Sequence, residues 1–433
     1  MFAPIRKGFN VRWNQLPRPS QKTSMSDFHM AGSPDAETAR PATADFDVAI
    51  VGAGLSGSIA AIELSRMGYH VALFDLQEQP RAEFRAEQLV GGQIGRLAEL
   101  GVLQPMTRES RATHEVVNGR KGKVLDRTRV DQYGVSYQSM VEGVRSQVPA
   151  DVRLIAKRVA AIATSPDLQQ VTLADGSMVS SRLVVMATGL ASVLTKRLGI
   201  EIATIRANQS LAIGFDVAVA NPAVSDLMPL VYYGENGGDM TDYIALFGVH
   251  GAVRANLFCY QEQQSEWTRS FCRDPHGALL QIVPGLGEIL GPFEVTSSVQ
   301  VRSNDLRVAV DPARDGVVLI GDAFQTPCPA AGTGIDRLLS DIDVLCRRHV
   351  AEWFATPGMA RAKIAKFYAD PVKQAFDAEC LRIADYRRAV STRRNLWWTV
   401  HRKQVFFRRR LKALLAKRLG REGQLPATGT MAG

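Results

Sequence analysis

Val48-Ala49-Ile50-Val51-Gly52-Ala53-Gly54-Leu55-Ser56-Gly57 decides the fold. The first four residues form an uninterrupted apolar run, as a strand buried on both faces requires. Three glycines follow at once, and Ser58 to Met67 then places apolar residues at helical spacing. Gly68-Tyr69 turns the chain into a second apolar strand, Val71-Ala72-Leu73-Phe74, which ends at Asp75. A strand that turns into a helix through Gly52, Gly54, Ser56 and Gly57 lets its backbone approach a pyrophosphate where larger side chains would block it. The helix N-terminus then offers free N–H groups and a positive dipole end to the phosphates. Asp75 is suitably placed to accept hydrogen bonds from a ribose, and an acid there favours an unphosphorylated one. The unit predicts dinucleotide binding, of FAD or NAD rather than NADP.

Working outward, Arg85 to Leu100 and Gly134 to Gln147 read as helices. Val152–Ile155, Val171–Leu173 and Leu183–Ala187 read as strands, the last closed by Thr188-Gly189. Between about 205 and 300 the pattern changes. Ala212–Val219, Leu230–Tyr233, Tyr243–Val249 and Arg254–Tyr260 look like strands joined by polar turns, which predicts a mostly antiparallel sheet. Val317-Val318-Leu319-Ile320 returns as a buried strand. Gly321-Asp322-Ala323 then opens a second loop with glycines, and a helix begins at Gly334. Negative charge is stabilised at such a helix start. The predicted class is α/β: a Rossmann-like FAD-binding domain, an inserted antiparallel sheet for substrate, and C-terminal helices. The expected divisions are a flexible extension over 1–44, a cofactor domain over 45–204, a substrate domain over 205–305, a return segment over 306–350, and a helical region with a basic tail over 351–433.

Composition narrows the function. The 433 residues carry 46% apolar side chains, enough for sizeable cores, which excludes a disordered or fibrous chain. The net charge is +9, yet Arg393 to Arg421 alone holds 11 Lys and Arg and no acid. The remainder has 41 basic against 43 acidic residues, so a whole-surface nucleic-acid binder is not expected. Five scattered cysteines form no CxxC pair and no metal-ligand spacing, which predicts a reducing compartment and no metal site. No run approaches the roughly 20 apolar residues that span a bilayer. The expected location is cytoplasmic, either free or peripheral to the inner membrane surface.

Three separated stretches, in order, resemble the FAD-dependent monooxygenases of the aromatic-hydroxylase type. They are the glycine loop with Asp75, the stretch from Arg85 to Val102, and the segment from Gly321 to Asp336. The resemblance implies that Arg85 and Gln93 contact the flavin cofactor and that Asp322 binds a ribityl hydroxyl. It sets Pro329, Gly332, Thr333 and Gly334 near the isoalloxazine ring and gives Gly189 to the middle cofactor motif. It implies insertion of one oxygen atom of O2 into an organic, aromatic or lipophilic substrate through a flavin C4a-hydroperoxide, with NADH or NADPH as electron donor, directly or through a separate reductase. The alternative on the same scaffold is an FAD oxidoreductase without oxygen insertion (a reductase, desaturase or halogenase) or a flavin-binding protein without catalysis. The chain lacks the halogenases' paired-tryptophan motif with its following Ile-Pro.

Departures from the pattern are specific. Gln325 stands where a histidine is frequent, Asp336 where an asparagine is common, and Ala187-Thr188-Gly189 where an Asp-Gly pair is usual. The candidate catalytic residues are His250, Gln325 and Pro329. Tyr232, Tyr233, Tyr243, Phe247 and His250 are expected to line the substrate cavity with the loop 325–333, and Cys328 reads as a small apolar filler. In the tail, Trp397-Trp398, Val400, Val405-Phe406-Phe407, Leu411, Leu414-Leu415 and Leu419 interleave with basic residues. Such a helix suits an anionic membrane surface, packing on the body or contact between copies, and, less well, a nucleic acid.

Overall fold

The computed structural model describes residues 44–190, 193–221, 224 and 228–418, the side chains of 416–418 excepted. The extension expected over 1–44, apart from Ala44, lies outside the described residues, as does the end of the basic tail from 419 onward. The strands are, in chain order, β1 (Phe46–Val51), β2 (Val71–Asp75), β3 (Gln88–Val90), β4 (Thr113–Arg120), β5 (Lys123–Gly134), β6 (Arg153–Ala156), β7 (Val159–Ala163), β8 (Gln169–Leu173), β9 (Met178–Met186), β10 (Glu201–Val219), β11 (Leu230–Tyr233), β12 (Thr241–Val249), β13 (Ala252–Cys259), β14 (Phe293–Val295), β15 (Gln300–Val310) and β16 (Val317–Leu319).

The first sheet runs β6-β2-β1-β9-β8-β7, with β16 also on β9. Strand β1 lies parallel between β2 and β9. Both its faces are covered, which is why it reads as a continuous apolar run. Val48 and Ile50 pack with Ile59 and Ile62 of helix α1 (Leu55–Arg66), and Ala49 and Val51 pack with Phe74, Val171 and Leu319 on the other side. The helix α2 (Gly92–Glu99) and the helix α3 (Tyr137–Arg145) join α1's layer. So does α4 (Gly334–Val344), which follows β16.

The second sheet runs β14-β10-β13-β12-β11-β4-β5-β3, with β15 on β10. It is antiparallel throughout except between β11 and β4. Its membership reaches beyond 205–305, because β3, β4 and β5 come from residues 88–134. The stretch Arg85–Leu100 is not one helix. Gln88–Val90 pairs with Gln132–Gly134 of β5, and the helix starts only at Gly92, after Gly91 takes a positive φ of 59°. Alternation divides β12 between two surroundings. Ile244 and Leu246 face the cluster with Leu279, Leu286 and Leu290, from the helices between 275 and 290. Tyr243, Ala245, Phe247 and Val249 face the opposite way, toward the first sheet's loops. Tyr232 belongs to the Ile244 face, with its hydroxyl donating to Glu235 Oε1 at 2.6 Å, so it does not join the other aromatics as expected.

Two long C-terminal helices, α5 (Pro371–Thr392) and α6 (Leu396–Arg418), close over the second sheet. The tie is a buried ion pair: Arg387 of α5 donates to Asp242 of β12, with Nη2–Oδ1 at 2.8 Å and Nε–Oδ2 at 3.0 Å, and Tyr260 donates to the same carboxylate at 3.1 Å. Removing one partner of such a pair strands the other charge out of water, which costs about 3–5 kcal/mol. Asp242→Ala is therefore expected to lower the free energy of unfolding by about that amount in urea titration. A loss under about 1 kcal/mol would show that water replaces the carboxylate.

Candidate functional site

The glycine loop is held by contacts that exclude side chains. Gly52 has φ +107°, and a Cβ there would lie 2.5 Å from the Ala187 carbonyl oxygen at the end of β9. A Cβ on Gly57 would lie 1.8 Å from the Gly52 carbonyl oxygen. Gly54 differs: the nearest atom to an added Cβ is the Tyr137 hydroxyl at 3.5 Å. Gly54 caps α1 without a side-chain hydrogen bond, and no acid sits in the first turn. The helix start therefore keeps its positive end for a ligand.

Asp75 is at the end of β2, as expected, but it is already engaged. Its Oδ2 accepts from Ala53 N at 2.8 Å and from Arg145 Nη2 at 2.8 Å. Arg145 also donates to the carbonyls of Ala53, Gln77 and Glu78 at 2.7–3.1 Å. This arginine, absent from the sequence-based candidates, braces the loop against the end of β2. Tyr137 was missed too. It lies on the same helix, its ring sits under the Arg85 guanidinium at 5.3 Å, and its hydroxyl lies beside the start of α1, 3.5 Å from where a Cβ on Gly54 would be. Burial raises its pKa and keeps the phenol protonated.

Arg85 lies in the extended segment before β3 and reaches across to the second glycine-bearing loop, where its Nη1 is 3.5 Å from Asp322 Oδ2. Burial pushes the Asp322 carboxyl up despite the nearby Arg85, Arg337 and Arg302. Gly189 also borders Arg85, whose Nη2 would lie 3.8 Å from a Cβ added there. Phe84 packs on the bare backbone of Gly214 in β10, and its carbonyl accepts from Arg302 Nη1 of β15 at 3.0 Å. Both sheets and both glycine loops thus meet at residues 84–85.

Gln93 is buried on α2 and bridges two segments. Its Oε1 accepts from Val90 N at 3.2 Å, and its Nε2 donates to Asp336 Oδ2 at 2.7 Å. Asp336 does not point away from its surroundings as a solvated acid. Burial raises its pKa from 3.8 to about 6, against the stabilising bond from Gln93. Its amide-like partner explains how an acid occupies a position where asparagine is common.

The loop between β16 and α4 supplies the rest. Gln325 is buried, and its backbone carbonyl accepts from Arg337 Nη1. Pro329 opens a single turn to Ala331, which Gly332 ends at φ +68° with open space around a notional Cβ. Thr333 and Gly334 start α4 without a side-chain cap. Cys328 is buried against Gln209 and Ser210, and burial raises its thiol pKa, so it is a protonated filler as expected. An aromatic wall covers this loop: Tyr243 donates to the Ala330 carbonyl at 3.3 Å, with Phe258 at 4.8 Å and Tyr233 at 6.4 Å between ring centres. Phe247 is on the same face of β12.

His250 is not brought to this loop. It lies seven residues beyond Tyr243 along the strand direction, roughly 23 Å away at about 3.3 Å per residue. There it occupies an exposed turn, with Nδ1 3.0 Å from Glu109 Oε2. The alternation that identified the strand places Tyr243 well, but it does not say which end of the strand meets the loop.

Two clefts adjoin the site. One is bounded by Leu190, Thr195, Ile202, Arg307, Asp322 and Phe324. Another, small one runs between β11, β12, α5 and α6, with Arg120, Tyr233, Asp242, Tyr386, Arg402 and Phe406 among its walls. The residues present fit an FAD. Gly54 leaves room at an uncapped helix start, Gly332 leaves room at the second loop, and the buried Thr188 hydroxyl has no hydrogen-bond partner among the described residues.

The family model described as FAD binding domain matches residues 45–352. The chain belongs to the FAD-dependent monooxygenase family. As a member it is an FAD-dependent oxidoreductase. It is 25% identical over 333 residues to kynurenine 3-monooxygenase of Salinispora arenicola, covering 69% of this chain and 71% of that protein. It is 26% identical over 336 residues to ubiquinone hydroxylase UbiL of Rhodospirillum rubrum, covering 70% and 72%. The fold is similar to that of p-nitrophenol 4-monooxygenase PnpA from Pseudomonas putida DLL-E4, with a TM-score of 0.67 at 13% identity over 88% of this chain and 98% of that one.

Two substitutions separate the parts of the glycine loop. Gly54→Ala is expected to leave thermal stability of the FAD-free protein within a degree or so while weakening FAD binding at least about tenfold, measured by flavin fluorescence titration. Gly57→Ala, whose Cβ meets backbone, is expected to destabilise the FAD-free protein itself. Equal effects on both proteins would remove the distinction. Asp336 gives a pH test. Its folded pKa, about 6, exceeds its ordinary 3.8, so the folded chain binds the extra proton between those values and this group's contribution turns unfavourable as pH rises through them. Thermal unfolding should show Asp336→Asn gaining on the parent from about pH 4 to 6, with a constant gap above. A gap independent of pH would mean that the carboxyl titrates normally.

Proposed function

We propose that this flavoprotein inserts one oxygen atom of O2 into an organic substrate bearing an aromatic or quinone-like ring. The observation that carries the reading is an aromatic wall: Tyr243 and Phe258 are set against the loop Gln325–Gly334, with Tyr243 bonded to Ala330, and Tyr233 and Phe247 continue the same face of the sheet. Such a wall excludes water and offers planar apolar contact to a ring. The names of the two relatives, a kynurenine monooxygenase and a ubiquinone hydroxylase, support oxygen insertion into ring compounds.

The α1 start, Gly54 and Tyr137 would hold the pyrophosphate, Asp75 the ribose, and Asp322 with Arg85 the region between the two glycine loops. Gln93, Asp336 and the segment Pro329–Gly334 would border the ring system. Bound FAD supplies oxygen activation once reduced, with NADH or NADPH as donor, directly or through a separate reductase. The residues themselves orient and shield: Tyr243 fixes the 328–331 turn, Gln93 donates to Asp336 Oδ2 and fixes the orientation of that side chain, and Gln325 supports the loop through Arg337. We assign no general base. His250 belongs to a surface turn in this reading.

The FAD-loaded protein is expected to consume O2 with NADH or NADPH faster in the presence of a ring substrate, and product formed under isotopically labelled dioxygen should carry one labelled atom. Turnover with unlabelled product would place the chain among reductases or desaturases of the same scaffold. Tyr243→Ala is expected to lower coupling of O2 consumption to product by about tenfold, because it opens the wall to water.

A further inference from the structure

Helix α6 carries a feature that the flavin chemistry does not use. Its inner side is fastened to the body. Arg409 is paired with Asp126 of β5 at 2.8 Å, and Phe406 packs on Tyr233 at 5.7 Å beneath the Arg120 guanidinium. Arg402 donates to the carbonyls of Val390 and Arg393. The outer side is apolar. Leu396, Trp397, Val400, Phe407, Leu411, Leu414 and Leu415 are all exposed, Leu396 at 79%, Trp397 at 62% and Phe407 at 67%. At about 100° per residue these seven fall within one sector roughly 100° wide, which also takes in Gln404 and, at the last helical position, Arg418. Lys403 and Arg410 flank the sector on one side, and Arg408 and Lys412 on the other.

We propose that this outer face of α6 lies on an anionic lipid bilayer surface, its apolar stripe at the acyl boundary and its basic flanks on the headgroups. Three observations select this occupant. The segment Arg393–Arg421 contains no acid, so every charge beside the stripe suits a negative surface. Trp397, held by stacking on His401 at 5.0 Å, presents an aromatic ring at the depth where interfacial tryptophans sit. A second copy laid on the same face would set the basic flanks against one another, which repels. The helix does not cross: no helix among the described residues is long and apolar enough to span a membrane. Its inner face borders the small cleft lined by Arg402 and Phe406, so docking sets that cleft close to the lipid. The inference does not depend on oxygen insertion, since an oxidoreductase of any kind can be so docked.

The test is co-sedimentation of the full FAD-loaded chain with vesicles of phosphatidylcholine alone and of phosphatidylcholine mixed equally with phosphatidylglycerol. Partitioning onto the phosphatidylglycerol vesicles is expected to be at least about tenfold stronger and to weaken with added salt. A variant with Trp397→Ser, Phe407→Ser and Leu414→Ser, all exposed positions, should keep FAD binding and lose vesicle binding. Lys403→Gln with Arg410→Gln should keep the stripe and lose most of the preference for phosphatidylglycerol. Equal partitioning onto both vesicles, unchanged partitioning of the serine variant, or a dimer that the serine variant converts to monomer without any vesicle binding would overturn the proposal.

Discussion

The structure depends on one close approach. Where β1 turns into α1, the Gly52 carbonyl occupies the space that a Gly57 side chain would need, and the Ala187 carbonyl occupies the space that a Gly52 side chain would need. The strand, the helix and the end of β9 therefore come together at backbone distance. That approach sets the start of α1 at the carboxyl edge of the first sheet, where its free N–H groups face a ligand. The brace of Asp75, Ala53 and Arg145 keeps the turn from relaxing.

The second sheet packs against this edge. Residues 84–85 are the seam: Phe84 lies on Gly214, Arg302 holds its carbonyl, and Arg85 spans from Tyr137 to Asp322. Beyond the seam, Tyr243 and Phe258 close on the 328–331 turn, and the Arg387–Asp242 pair keeps α5 packed on Tyr243 and on that same turn. The contacts that make one site from two sheets are nearly all between residues far apart in sequence. Their strength comes from burial, and the charges among them are paired rather than solvated.

Local signals in the chain revealed the parts governed by local rules. The run Val48–Val51 with its glycines, the buried strand near Val317–Ile320 and the strands between 212 and 260 lie where periodicity put them, except that β10 begins at Glu201 rather than Ala212, because burial on two faces or one leaves a direct mark on composition. The cofactor class was legible for the same reason. Three features were not. Arg85–Leu100 has helical apolar spacing, but a strand pairing with β5 and the positive φ at Gly91 override it. Tyr137 and Arg145 look like ordinary residues of an amphipathic helix, and only the return of that helix to the α1 start gives them their position. His250 was chosen by residue type on the right strand, and strand direction placed it at the wrong end. The basic tail was legible as a charge excess, but its division into an inner and an outer face required the helix to be seated.

The central claim is that the glycine loop, the Arg85–Gln93 stretch and the loop from Gly321 to Gly334 form a single FAD cradle against the aromatic wall. A crystal structure of the chain with bound FAD tests it most directly. The pyrophosphate is expected at the start of α1 beside Gly54 and Tyr137, and the ring system between Pro329–Gly334 and the face of β12 that carries Tyr243 and Phe247. Density for the ring elsewhere, or no flavin density in crystals grown at saturating FAD, would contradict it.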